Sequence, residues 1–254
     1  MTRRASCRRR SISAAFNSLV EIVASVLHHA KGNQRADLIC FDCDGVLVDS
    51  ELLAAQNTAE CLSELGINLT LPEASALFTG KSAAAGQQII RDTYGVDLPA
   101  AYFARFDLLL FQRFRQQLKP VPGIADVLAG LRLPSCVTSN SGKVRLALTL
   151  GLTGLAGHFG YRVFSAEDVS RGKPAPDLFF LAANRLGADV RRCLVIDDSV
   201  TGVTGAVAAG ARAVGFTGAG HVEQDHAARL KDAGASCVVN SAQELAAFLH
   251  AETA

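Results

Sequence analysis

Short apolar runs that alternate with helix-length stretches constrain this chain more than any other feature. Residues 38–41, 135–139, 161–165, 193–196, 213–216 and 237–239 each read as a strand. The first is uniformly apolar and ends in a polar turn, which suits a parallel strand buried on both faces. Helical periodicity occupies 177–186 and 200–209 between them. Strands that alternate with helices predict an α/β fold, a parallel sheet joined by right-handed crossovers. Residues 51–117 break the pattern, with helical runs at 52–65 and 102–117, punctuation at Gly66, Pro72, Gly80 and Gly95, and no strand signal. A segment of that length is too long for a loop and is sized for a small helical cap. The expected organisation is therefore an N-terminal extension at 1–35, a core from 36–49 and 119–254, and a cap at 50–118.

Composition narrows the function classes. Of 254 residues, 49% are hydrophobic and 19% charged, which excludes disorder throughout and supports a sizeable core. The apolar runs fall short of a bilayer-spanning helix, so the expectation is a soluble, cytoplasmic protein without a membrane partner. Lys plus Arg number 25 against 24 acids, which gives no support to a nucleic-acid partner. Seven scattered cysteines fit reduced thiols, and the Cys40-x-x-Cys43 spacing, with no second Cys/His pair nearby, reads as structural. In the first 35 residues, Arg3, Arg4, Arg8, Arg9 and Arg10 precede any acid, and apolar residues follow at helical spacing. That composition suits either an organelle transit peptide or a passive extension, and the passive reading is preferred. A monomer or weak homo-oligomer is expected.

The chemistry lies at the strand ends, where open parallel sheets bind ligands. Asp42, Asp44 and Gly45 follow the first run, and Ser139 and Asn140 close the second. Lys173 precedes the helix after the third, and Asp197 and Asp198 close the fourth. An Asp-x-Asp-Gly alone is commonly a turn, and Asp197-Asp198-Ser199 alone a helix cap. Together, four carboxylates on one rim need a compensating cation, and oxygen ligands select Mg2+. A phosphate dianion between that cation and Lys173 satisfies both, with Ser139 and the Asn140 amide on its oxygens. Residues i and i+2 share a face of an extended strand end, so Asp42 is placed as nucleophile and Asp44 as general acid and base.

At this point the chain resembles the haloacid dehalogenase-like superfamily of phosphohydrolases. Residues 41–51 (FDCDGVLVDSE) look like its first motif, 137–140 (VTSN) its second, 172–177 (GKPAPD) its third and 195–202 (VIDDSVTG) its fourth. The resemblance implies a Rossmann-like core carrying a C1-type helical cap. It also implies Asp42 as nucleophile and metal ligand, and Asp44 as acid/base with its backbone carbonyl on Mg2+. Asp198, helped by Asp197, would complete the metal site. Within the superfamily the chain is similar to the beta-phosphoglucomutase-like group, especially to sugar-phosphate phosphatases of the 6-phosphogluconate type. Ala54 stands where the mutases carry a histidine, and Ala83 where they carry a phosphate-binding arginine. Both departures favour water as the acceptor, and Asp44 disfavours dehalogenation.

The resemblance thus implies a Mg2+-dependent phosphatase acting on a small phosphorylated sugar or sugar acid through an aspartyl phosphate. The alternatives are a phosphosugar mutase and a non-catalytic phosphometabolite-binding module. Gly80 and Lys81, in a cap loop, are expected to bind substrate, with Lys81 facing a carboxylate or second phosphate. His28, His29, His158, His221, His226 and His250 are expected away from the site. Phe103, Phe106, Leu110, Phe111 and Phe114 are expected to form a packing face of a helix. The absence of G-x-G-x-x-G after the first strand argues against a dinucleotide cofactor.

Overall fold

The computed structural model describes residues 35–78, 83–220 and 225–253. The expectations for the N-terminal extension and for Gly80 and Lys81 lie outside these residues. The strands are β1 (Leu38–Phe41), β2 (Ser135–Ser139), β3 (Val163–Ser165), β4 (Cys193–Asp197), β5 (Arg212–Phe216) and β6 (Cys237–Val239). They form one parallel sheet in the order β3-β2-β1-β4-β5-β6. This is the Rossmann-like α/β arrangement, with the chain reversing direction of travel beside β1. β3 is shorter than the 161–165 run because Gly160, at φ +56°, turns the chain out of the preceding helix. Tyr161 is left in solvent, and the pairing with β2 begins only at Val163.

Between β1 and β2 lie helices α1 (Glu51–Ser63), α2 (Leu71–Phe78), α3 (Ala83–Tyr94), α4 (Ala100–Gln117) and α5 (Ile124–Ala129). After β2 come α6 (Lys143–Leu152) and α7 (Ala156–Phe159); α8 (Asp177–Leu186) follows β3, and α9 (Val200–Ala208) follows β4. Helices α10 (His226–Asp232) and α11 (Ala242–Thr253) flank β6. Alternation along β1 divides the core. Ile39 and Phe41 join Val137, Ile196 and Phe216 on one face, while Leu38 and Cys40 join Cys136, Val195 and Phe179 on the other. Cys40 and Cys43 belong to different faces, Cys40 beside Cys136 and Cys43 beside Thr149, so the C-x-x-C spacing makes no pair.

Helices α1–α4 carry a small core of their own, Leu62, Ile67, Ile90 and Leu98. A second cluster, Leu53, Leu110 and Phe114, packs against Leu148 of α6 and ties these helices to the sheet layer. The chain leaves for α1 and returns from α4 through adjacent segments. The Asp49 amide donates to the Lys119 carbonyl and the Val121 amide to the Leu47 carbonyl, each at 3.0 Å. Among the described residues, no helix is long and apolar enough to cross a membrane.

Candidate active site

Four strand ends deliver polar groups to one rim of the sheet. After β1 the chain turns at once: Gly45 sits at φ +74°, and its amide donates to the Val48 carbonyl at 2.9 Å. This tight loop holds Asp42 and Asp44 at the sheet edge. Gly45 is also required by space, because a Cβ there would lie 2.0 Å from Oδ2 of Asp198. The end of β1 and the end of β4 therefore approach within the width of one methyl group. Ligand oxygens of Asp42, Asp197 and Asp198 all lie within 4.8 Å of one another.

Lys173 enters from the loop after β3. Its Nζ donates to Oδ1 of Asp42 at 3.0 Å and to Oδ2 of Asp197 at 2.7 Å, and its side chain is only 2% exposed. Asn140, at the end of β2, holds the lysine's backbone on both sides. Its Nδ2 donates to the Lys173 carbonyl at 3.0 Å, and the Lys173 amide donates to its Oδ1 at 2.8 Å. Gly172 leaves room for this clamp, since a Cβ there would meet Oδ1 of Asn140 at 2.6 Å. The Asn140 side chain thus positions Lys173, which leaves its main-chain amide for any ligand. The buried Ser139 hydroxyl accepts from the Ser141 amide at 3.1 Å.

Asp197 is fully buried, and both its oxygens are engaged. Oδ2 accepts from Lys173, and Oδ1 accepts from the Ser199 amide at 3.0 Å and hydroxyl at 2.7 Å. Ser199 also caps α9, accepting from the Gly202 amide at 2.9 Å. One hydroxyl therefore ties the helix start to the carboxylate. Ser199→Ala is expected to cost about 1–2 kcal/mol, read as a lowered urea midpoint with an unchanged slope.

A cavity of about 650 Å3 opens above the rim. Asp42, Asp44, Ser139, Asn140, Lys173 and Asp198 face it from the sheet side, whereas Asp197 lies beneath. Leu98, Tyr102, Phe103, Phe106 and Phe111 form the opposite wall. The helix-face expectation holds, with an addition: Leu110 and Phe114 are core residues, and Phe103, Phe106 and Phe111 pack against the small clusters while also lining the cavity. The period of α4 is helical either way, so spacing alone could not separate a core-facing from a cavity-facing stripe.

The electrostatics are crowded. Burial first, with repulsion from Asp197 and Asp44 added to it, pushes Asp42 up to about 7 against the pull of Lys173. Burial and then repulsion from Glu51, Asp42 and Asp197 raise Asp198 well above the carboxylate range. Burial also lifts Glu51, at the start of α1, to about 7, although a hydrogen bond with Asp198 opposes it. Lys173 runs the other way: burial alone would depress it, yet Asp197 and Asp42 raise it above the ordinary lysine value. Asp44 is distinct. Burial works to raise it, but the Arg145 guanidinium and the hydroxyls of Ser141 and Ser50 hold it below the usual value.

Several groups around the site were not singled out from the sequence. Arg145 lies in the first turn of α6, and its Nη2 contacts Oδ1 of Asp44 at 2.7 Å. Ser50 donates to Oδ1 of Asp44 at 2.5 Å and Ser141 to Oδ2 at 2.6 Å. His226, expected elsewhere, brings its Nε2 to 2.5 Å from the Asp198 carbonyl. Ser50 and Glu51 close the first motif and Ser141 follows the second, so their place in the chain could have pointed to them. Arg145 required knowing that α6 begins directly after β2, and His226 carried no local cue.

Residues 36–210 match the haloacid dehalogenase-like hydrolase family. The 6-phosphogluconate phosphatase of Escherichia coli strain K12 is 31% identical over 179 residues, covering 69% of this chain and 80% of that protein. The crystal structure of a conserved haloacid dehalogenase-like protein of unknown function from Agrobacterium tumefaciens C58 superposes with a TM-score of 0.76 at 38% identity. It covers 86% of this chain and 100% of that one. A haloacid dehalogenase family hydrolase of Deinococcus radiodurans R1, solved with bound phosphate and sodium, gives a TM-score of 0.69 at 35% identity, covering 83% of this chain and 93% of that one. The family match spans the ends of β1, β2 and β4 and the Lys173 loop, where this chain gathers its acids and its lysine. The chain belongs to the haloacid dehalogenase-like hydrolase family.

Proposed function

We propose that the protein is a Mg2+-dependent phosphatase that hydrolyses a small phosphorylated sugar or sugar acid through an aspartyl phosphate on Asp42. The observation that carries this reading is the position of Asp42. Its carboxylate faces the cavity, is fixed by the Lys173 ammonium at 3.0 Å, and has Asp198 beside it. Resemblance to a 6-phosphogluconate phosphatase and to a hydrolase that holds phosphate supports the substrate class.

The residues present fit a divalent cation. Three carboxylates cluster around one ammonium, and the raised pKa values of Asp42 and Asp198 show that this single cation does not balance them. All the donors are hard oxygens, which suits Mg2+. Asp42 and Asp198 would hold it from the cavity side, with Asp197 behind them. The Asp44 carboxylate belongs to the Arg145 contact, which leaves its backbone carbonyl for the same ion. When bound, Mg2+ supplies the positive charge that allows a phosphate dianion to approach an anionic nucleophile.

The remaining chemistry belongs to the chain. Asp44 must first take up a proton, which requires a donor that holds its pKa down to give way. An Asp42 oxygen then attacks phosphorus, the ester bond breaks, and the departing oxygen takes that proton. Asp44 then takes a proton from water, whose oxygen attacks the same phosphorus and releases phosphate with the Asp42 carboxylate restored. Lys173, Ser139 and the Asn140 amide orient the phosphoryl oxygens. Ala54 offers only a methyl group to the cavity, which supports water as the acceptor. In this reading α1–α4 (within 50–118) serve as the cap and exclude bulk water from the reacting phosphorus.

The test is inorganic phosphate release from a panel of sugar phosphates by purified protein. Release with Mg2+, lost with EDTA and restored by excess Mg2+, is the expected result. No release from any ester at saturating Mg2+ would end the proposal.

A further inference from the structure

Among the described residues that line the cavity, the cations are Lys173 and Arg145. Lys173 is committed to Asp42 and Asp197 at the floor. Arg145 is committed less completely. One of its nitrogens, Nη2, reaches Oδ1 of Asp44, while its Nε is buried without a hydrogen-bond partner. A buried N–H with no acceptor is costly, and it marks a place where an acceptor is missing. The guanidinium lies 5.3 Å from the centre of the Phe114 ring of α4, and its side chain is one quarter exposed.

The Oδ1 side of the Asp44 carboxylate is fully occupied in this arrangement. Oδ1 accepts from Ser50 and Arg145, and Oδ2 accepts from Ser141. A departing ester oxygen that meets Asp44 through Oδ1 must displace one of its two donors there. Ser50 and Ser141 are short side chains on the segments that carry the site, so they cannot move far. Arg145 is long, approaches from a separate helix, and has donors to spare.

We propose, resting on the phosphatase reading above, that Arg145 is a substrate-recognition residue. It passes from Asp44 to a carboxylate on the leaving group and so selects phosphate esters that carry a second anionic group, as a phosphorylated sugar acid does. The planar fork of a guanidinium matches a carboxylate through two parallel hydrogen bonds, which would also engage the unpaired Nε. Transfer of Arg145 frees one side of Asp44 for the departing oxygen, so recognition and access to Asp44 are coupled through one side chain. Asp107 of α4 also faces the cavity and feels the Arg145 charge. It is the internal competitor for the released guanidinium.

The test compares 6-phosphogluconate with sorbitol 6-phosphate, which keep the same carbon chain and phosphate but differ in the carboxylate. Wild type with Mg2+ is expected to prefer the phosphogluconate in kcat/KM, and Arg145→Gln to reduce that ratio about 10- to 100-fold, mainly through KM. Arg145→Lys, which keeps the charge without the fork, is expected to fall between them. Fructose 1,6-bisphosphate against fructose 6-phosphate distinguishes a second phosphate from a carboxylate as the preferred anion. A purely structural role would lower both esters alike and leave the ratio unchanged, which overturns the assignment. Equal use of both esters by wild type also overturns it while leaving the phosphatase reading in place. No phosphate from either ester removes both. Should Arg145→Gln fail to fold, Arg145→Lys carries the same comparison.

Discussion

Asp42→Asn is expected to lower phosphate release by about 10^4-fold or more, with no loss of thermal stability. The amide has nearly the shape of the carboxylate, and its oxygen can still accept from Lys173, so packing around a side chain that is 8% exposed as a residue is preserved. What it lacks is a nucleophilic anion able to carry a phosphoryl group. The stability half of the prediction follows from the crowded charge. Burial holds Asp42 up at about 7, above the ordinary carboxylate value. A raised pKa in the folded state contributes stability that is fully present below the unfolded value and is lost as pH rises through about 7. Asparagine has no such loss. In EDTA the melting temperature of Asp42→Asn should therefore exceed that of wild type at pH 8, and the gap should close at pH 5. Phosphate release within tenfold of wild type would remove Asp42 from the nucleophile's role.

The fold was legible because parallel strands buried on both faces leave a strong mark. Ser135–Ser139 and Cys237–Val239 read correctly at both ends, since neither has a competing helical period. The run at 161–165 read long because Tyr161 is apolar in composition yet lies in a turn set by Gly160, and a single glycine does not announce its φ. The helices between β1 and β2 were legible as an interruption. Which of their apolar residues also face a cavity was not: Phe111 and Phe114 stand three apart on α4 in one cluster, and of the two Phe111 lines the cavity.

The acids and the lysine were legible for a different reason. Each ends a strand or lies in the loop that follows one, and topology alone carries strand ends to one rim. Their mutual distances were not available, nor was the burial of Asp197 behind Asp42 and Asp198. Arg145 and His226 approach from helices whose rotation about their axes is set by packing, with no spacing pattern in the chain. Gly45, Gly172 and Gly202 belong to the same class of hidden requirement. At each of them a Cβ would strike a site side chain, respectively Asp198, Asn140 and Asp197. Sequence places a glycine there, and only the structure shows which neighbour demands it.

Removal of the lysine should expose the charge problem most directly. Lys173→Met keeps a stem of similar length against Phe179 and deletes the ammonium shared by Asp42 and Asp197. Loss of one partner from a buried ionic cluster typically costs about 3–5 kcal/mol, and that range is expected at pH 8 in EDTA. The cost should shrink at pH 5, because Asp42 and Asp198 already have raised pKa values and take up protons readily once the cation is gone. Mg2+ should raise the urea midpoint of the variant more than that of wild type, since it meets carboxylates with no competing ammonium. Turnover should still fall about 10^2- to 10^3-fold, as it does when a single preorganised donor to a transition-state oxygen is removed. Urea titrations at the two pH values separate the causes. A loss that is equal at pH 5 and pH 8 would point to the packing of the stem and overturn the electrostatic account. A loss confined to high pH shows that one buried ammonium keeps three converging carboxylates compatible with a folded sheet.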